Sequence, residues 1–195
     1  RMLAEGRRKL RQQHDQGSPA IQVCTLLADL LDTVVMHLHE SALDDLGEAG
    51  PDGLGGHTAL VAHGGYGRRD VAPYSDVDLM LLHAPRVEGR VVPLARRLVM
   101  DLSDSGLDLG FSVRTPSTAC TLSRGDATIF TSLVESRFLG GSDKLFTRFT
   151  DRFRRQTKRR VRGLINTIYQ SRRDERRQYG ETVYLLEPNL KRSRG

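Results

Sequence analysis

The chain is poor in sulfur. Its 195 residues include two cysteines, Cys24 and Cys120, which have neither the spacing of zinc ligands nor the number a disulfide framework needs. Both read as reduced, packed thiols of a cytoplasmic protein. No apolar run stands out as reaching the roughly 18 residues that span a bilayer, and the first residues are charged rather than forming a secretory apolar core, so a soluble protein with no membrane partner is expected. Glycine is plentiful, yet no Lys-Ser/Thr pair follows the glycines at P-loop spacing. Gly65 and Gly67 lack the third glycine of a dinucleotide fingerprint. Aromatic residues make up 6% of the chain and do not interleave with its basic region as they do on a base-stacking surface, which moves nucleic acid to second place as a partner.

What is present suffices for one good core: 38% of residues are hydrophobic, enough for a catalytic-sized domain with a small helical appendage. The net charge of +6 is unevenly spread. Residues 144–195 hold 16 of the 30 Lys and Arg but 5 of the 24 Asp and Glu, leaving 14 basic against 19 acidic residues before them. A basic tail on an acidic body suits an acidic protein, a nucleotide or nucleic acid, and is equally compatible with a solvated helix face.

The chain is organised around residues 59–82. An apolar run, Ala59 to Ala62, breaks at Gly64, Gly65 and Gly67 and resumes as a second apolar run that opens with Asp76 and Asp78. The pattern predicts two strands around a glycine turn. In an extended chain Asp76 and Asp78 project from one face about 7 Å apart, with Val77 and Leu79 turned to the core. Two like charges on one face repel unless a cation sits between them, and hard carboxylate oxygens suit Mg²⁺. Glycines just before them allow backbone N–H groups to approach phosphate oxygens, although a plain tight turn would use the same residues. Arg68 is a candidate phosphate clamp or a solvated loop residue. Ser75 either caps the turn or touches phosphate.

Elsewhere the pattern is mostly helical. Residues 1–16 read as a polar, basic helix, and Gly17-Ser18-Pro19 as a stop and restart with Ser18 as N-cap and Pro19 at the first helical position. Apolar residues from Ile21 to Leu38 recur at helical spacing, predicting a helix from Pro19 to about Leu46 that covers one side of the sheet. His37 and His39 lie on different faces of it and read as surface or packing residues. Residues 47–57 form a loop, 90–105 a helix ended by Gly106, and 107–113 a strand entered through Asp108. Thr115-Pro116-Ser117 starts another helix, and 126–139 reads as a helix stopped by Gly140-Gly141, followed by more helix. The pattern fades from residue 180, where Pro188 bars regular helix and the chain stops without a closing cap. The expected organisation is an N-terminal helical region (1–57), a core (58–125) and a basic helical extension (126–195) that is cut short.

Gly64-Gly65, ten intervening residues and Asp76-Val77-Asp78-Leu79 resemble the signature of the DNA polymerase β-like nucleotidyltransferases. The fuller string from Gly64 to Leu79 is similar to one branch, the bacterial uridylyltransferases that modify the nitrogen regulatory protein PII. Three further segments carry the same resemblance in order: Asp108-Leu-Gly-Phe-Ser-Val-Arg-Thr115, Leu133-Val-Glu-Ser-Arg-Phe-Leu-Gly140, and Tyr184-Leu-Leu-Glu-Pro-Asn-Leu-Lys191, the last including Glu187 and Lys191. The departures are His63, where the signature prefers an apolar residue, and Arg69-Asp70, where the branch usually shows Gly-Glu.

The resemblance implies an α+β fold, a small mixed sheet flanked by helices and followed by a helical domain. It further implies transfer of UMP from UTP to a tyrosine hydroxyl of PII with one or two Mg²⁺ held by Asp76 and Asp78. Asp108 would be the third catalytic and metal-binding carboxylate, and Gly64, Gly65, Gly67, Arg68 and Ser75 would meet the nucleotide. Full-length members also carry an HD-type hydrolase domain and glutamine-sensing ACT domains. Neither falls within these residues, so uridylyl removal and glutamine control are expected to be lacking. Another polymerase β-like transferase, acting on a protein, small molecule or RNA, and a degenerate binding module are the alternatives.

Overall fold

A computed structural model describes residues 2–179 of the chain. The segment from Tyr184 to Lys191, with Glu187 and Lys191, lies outside the described residues. The elements run α1 (Met2–Asp15), α2 (Ala20–Asp45), β1 (Thr58–Ala62), α3 (Gly64–Gly67), β2 (Val77–His83), α4 (Glu88–Asp104), β3 (Leu109–Arg114), α5 (Pro116–Leu122), α6 (Ala127–Val134), β4 (Arg137–Gly141) and α7 (Asp143–Tyr179). The strands form one mixed sheet in the order β3-β2-β1-β4. β1 is antiparallel to both β2 and β4, and β2 is parallel to β3. This is the expected α+β class with a small mixed sheet among helices.

Helices cover both faces, so β1 and β2 bury both sets of side chains and read as continuous apolar runs rather than alternating ones. On one face Leu60, Ala62, Val77, Leu79 and Leu81 meet Leu27, Leu31, Val34 and Val35 of α2 and Val91, Leu94, Leu98 and Leu102 of α4. The three-and-four spacing of each helical set is what places it on one stripe. On the other face Ala59, Val61, Met80 and Leu82 meet α5, α6 and α7 through Cys120, Phe130, Leu133, Phe149 and Phe153. Phe130, Phe149 and Phe153 pack ring to ring at centroid separations of 5.4 and 5.8 Å. The two cysteines are free thiols, Cys120 buried and Cys24 partly so.

Local chemistry sets the ends of the elements that frame the cleft. Thr115 caps α5 by a reciprocal pair of bonds with Thr118, behind Pro116 in the first turn. Asp126 caps α6 by accepting from the Thr128 and Ile129 amides at 2.8 and 3.0 Å. Gly106 closes the turn after α4 at φ +74, a left-handed position that suits glycine.

Four expectations are corrected. Ser18 does not cap α2; Pro19 occupies the N-cap position, extended at φ −57 and ψ 136, and no side chain caps the helix. The helix expected over 126–139 ends at Val134, and Arg137–Gly141 form the edge strand β4 on β1. Phe138 turns to the α7 side and Leu139 to the α2 side, so a two-faced strand occupies what reads as a helical period, and the core sheet draws on residues on both sides of residue 126. The glycine turn is a single helical turn rather than a tight reversal. Finally, α2 is long and apolar enough by length and composition to cross a membrane. In the fold it is a core helix, its Leu27-Leu31-Val34-Val35 stripe packed on the sheet.

Candidate active site

The site lies where β1 ends and β2 and β3 begin. β2 opens at Val77, so Asp76 sits exposed at its threshold while Asp78 is its second residue and half-buried. Val77 and Leu79 are buried on the α2–α4 face, which leaves Asp78 on the opposite face, as the alternation of a strand requires. The parallel register sets Asp78 beside Gly110, and the Val77 amide donates to the Asp108 carbonyl at 2.8 Å. Asp108, exposed, is therefore the lateral neighbour of Asp76 at the same edge of the sheet.

Two glycines make room for the Asp78 carboxylate. A Cβ on Gly64 would lie 2.7 Å from Asp78 Oδ2 and 3.1 Å from Ser132 Oγ, and a Cβ on Gly110 would overlap Asp78 Oδ1. Gly64 is also left-handed, at φ +59. The carboxylate thus projects between the glycine turn and β3.

The glycine turn itself divides into two roles. The Gly64 and Gly65 amides open the turn and have no acceptor within it. Gly67 differs: its N–H donates to the His63 carbonyl at 3.0 Å, and a Cβ there would overlap the Glu135 carbonyl. Gly67 is a packing glycine whose amide is already engaged by the His63 carbonyl. Arg68 is exposed and pairs with Asp70 at 3.5 Å, away from the carboxylates in its bonding. The Ser75 amide closes a turn onto the Ala72 carbonyl at 3.0 Å, which is the local role of that residue seen in the structure.

Three features escape a reading of the sequence by spacing. His63 continues the β1 ladder, its amide donating to the Asp78 carbonyl at 3.1 Å, and its Nδ1 meets Ser132 Oγ of α6 at 2.7 Å. Burial, helped by the charge of Arg114, lowers its pKa to about 4, so the imidazole is neutral at pH 7 and supplies no counter-charge to Asp78.

The second feature is a brace beneath the turn. Arg137 of β4 donates to Asp32 of α2 at 2.7 and 3.0 Å and to the Gly67 and Tyr66 carbonyls at 3.2 Å each. Its guanidinium lies 5.4 Å from the centroid of the Tyr66 ring, and the Tyr66 hydroxyl donates to Asp32 at 2.7 Å. Burial first, and Asp32 second, hold the proton on that phenol. The sequence signal was available: Asp32 is an acid directly after Leu31, among the buried residues of α2. The third feature is Arg69, left-handed at φ +66 and ion-paired with Asp29 and Asp32. The departure from glycine thus falls on a positive-φ residue.

Among the described residues no three His, Cys, Asp or Glu side chains gather into a ready metal cage. Asp76, Asp78 and Asp108 share an edge without closing on one point. That arrangement still fits Mg²⁺, which is commonly held by one or two carboxylates together with substrate phosphates rather than by an all-protein shell.

Residues 4–113 match the nucleotidyltransferase family DUF294, a span that contains the glycine turn and all three carboxylates. Among curated proteins the chain is 31% identical over 194 residues to a bifunctional uridylyltransferase/uridylyl-removing enzyme of Phenylobacterium zucineum, covering 99% of this chain and 21% of that protein. It is 41% identical over 146 residues to a protein of the same name from Nitrosospira multiformis, covering 72% and 16%, and 34% identical over 164 residues to one from Mycobacterium tuberculosis, covering 82% and 20%. The chain spans about a fifth of the length of the curated relatives it matches.

Proposed function

The chain belongs to the DUF294 nucleotidyltransferase family, and we propose that it moves UMP from UTP to a tyrosine hydroxyl of the nitrogen regulatory protein PII in the cytoplasm. The observation that carries the reading is the Asp78 carboxylate, set between Gly64 and Gly110 with Asp76 and Asp108 at the same sheet edge. The names of the relatives, uridylyltransferase/uridylyl-removing enzyme, support the choice of nucleotide.

The reaction is an in-line displacement. The tyrosine oxygen bonds to the α-phosphorus of UTP, the bond from that phosphorus to the bridging oxygen breaks, and pyrophosphate leaves with the electron pair. There is little covalent work for the protein, whose contribution is positioning and charge. Asp76 and Asp78 are the residues that would hold Mg²⁺, which when bound neutralises phosphate charge and orients the attacking and leaving oxygens. A neutral His63 leaves that task to the cation. Asp108 accepts the tyrosine proton, needed because a free phenol with a pKa of about 10 is mostly un-ionised at pH 7. The Gly64 and Gly65 amides face the phosphate chain, and Arg137 fixes the turn that presents them.

The test is the mass of PII after incubation with the chain, Mg²⁺ and each nucleoside triphosphate in turn. Addition of one UMP with UTP, abolished in the double variant Asp76→Ala/Asp78→Ala, is the expected result. Undiminished transfer by that variant overturns the carboxylate assignment. Addition only with ATP or CTP makes the enzyme a different transferase of the same fold.

A further inference from the structure

The face of the sheet that carries Asp78 also carries an arginine whose donors are unspent among the described residues. The register pairs Asp78 with Gly110, Met80 with Ser112 and Leu82 with Arg114. Because paired residues of parallel strands share a face, Ser112 and Arg114 stand on the same side as Asp78, under α5 and α6, where His63 meets Ser132.

Arg114 is half-buried. Among the described residues it makes no hydrogen bond and no ion pair. The acid that acts on it is Asp126, at a distance, and the Asp126 Oδ1 oxygen is committed to capping α6. The other arginines around the turn are all engaged: Arg68 with Asp70, Arg69 with Asp29 and Asp32, Arg137 with Asp32 and two carbonyls. A guanidinium taken partly out of water without an acceptor is an unfavourable arrangement, and burial shifts its pKa downward. Its charge is also felt at His63, the residue laddered to Asp78.

We propose that Arg114 is the phosphate-binding arginine of the site, receiving the β- and γ-phosphates of the nucleoside triphosphate, the role that the glycine-adjacent Arg68 suggests by position alone. The proposal rests on the nucleotidyltransferase reading and specifies it. The α-phosphate lies at the carboxylate edge, and the leaving pyrophosphate extends along the face toward β3. A planar guanidinium donates to two phosphate oxygens at once, so the interaction is selective for the pyrophosphate portion over the nucleoside.

Calorimetric titration of the chain with UTP, UMP and inorganic pyrophosphate in the presence of Mg²⁺ tests it, comparing wild type with Arg114→Gln and Arg114→Lys. Arg114→Gln should weaken UTP and pyrophosphate by about tenfold or more, as expected for a lost charge-assisted pair, and UMP by less than about twofold, while Arg114→Lys restores part of the loss. The thermal midpoint of the ligand-free Arg114→Gln variant should stay level or rise, since a desolvated charge is removed. Equal losses for UMP and UTP, unchanged pyrophosphate binding, or a lowered midpoint with binding intact would each overturn the assignment. If the wild-type chain prefers ATP, the uridylyl reading falls, and Arg114 is judged by the same comparison on ATP, AMP and pyrophosphate.

Discussion

Removing the Arg137 guanidinium should both destabilise the fold and loosen the glycine turn, and the size of each effect follows from its contacts. Arg137→Leu deletes two bonds to Asp32, two to the Tyr66 and Gly67 carbonyls, and the contact over the Tyr66 ring. Breaking one side of a fully buried pair costs about 3–5 kcal/mol. Here the side chains of Arg137 and Asp32 keep 24% and 22% of their exposure, and Asp32 retains the Tyr66 hydroxyl and Arg69 at 3.9 Å, so that figure is a ceiling. A loss of about 2–3 kcal/mol is expected, or roughly 4–12 °C in thermal midpoint for a domain of this size. Because the two carbonyls belong to the turn, nucleotide affinity should fall as well, with Arg137→Lys intermediate. The assay is urea unfolding of Arg137→Leu, Asp32→Ala and the double variant, with UTP titration of each. A coupling energy below about 0.5 kcal/mol, the scatter of independent sites, would show that the brace is not a unit and refute the reasoning.

Candidate residues that share a face by type and spacing were legible, and those brought together through the third dimension were not. Gly64, Gly65, Asp76 and Asp78 announce themselves because adjacent residues on one strand and turn share a face by local geometry alone. The amphipathic stripe of α2 and the Thr115 start of α5 were readable for the same reason. Arg137 lies 105 positions from Asp32 and 70 from Gly67, so no local period could join them, and reading 126–139 as one helix concealed the strand that delivers the guanidinium. The split role of the glycines was hidden similarly. Gly64 and Gly67 look equivalent in sequence, but one faces Asp78 and the other the Glu135 carbonyl of the α6–β4 connection. The face that Arg114 occupies depends on the β2–β3 register, which only the pairing of distant strands decides, so no local period marks it.

Two further outcomes are expected. Arg69→Gly should relieve a left-handed backbone at φ +66, worth about 1 kcal/mol, while losing largely solvent-screened pairs to Asp29 and Asp32, worth up to about 1 kcal/mol. A midpoint within about 3 °C of wild type follows, and a larger drop would show that the pairs outweigh the strain. Stability should also fall as pH is lowered from about 6.5 toward 4, and His39 is a named source. The residue is 2% exposed, its Nε2 has no hydrogen-bond partner among the described residues, and burial lowers its pKa to about 4. Above pH 6.5 the residue is neutral in both folded and unfolded chains and contributes no slope. Between 6.5 and 4 the unfolded chain takes up a proton that the folded chain refuses, so unfolding gains about 2 kcal/mol by pH 5 and roughly 3 kcal/mol by pH 4, where the loss levels off. His39→Leu keeps an apolar side chain of similar bulk and removes the proton site, so its denaturation curves at pH 7.5 and 5 should differ by about 2 kcal/mol less than those of wild type. The difference between the two proteins isolates His39 from every other titrating group, including His63. Parallel pH profiles for variant and wild type would mean that His39 is protonated as readily folded as unfolded, and that its buried position admits the charge.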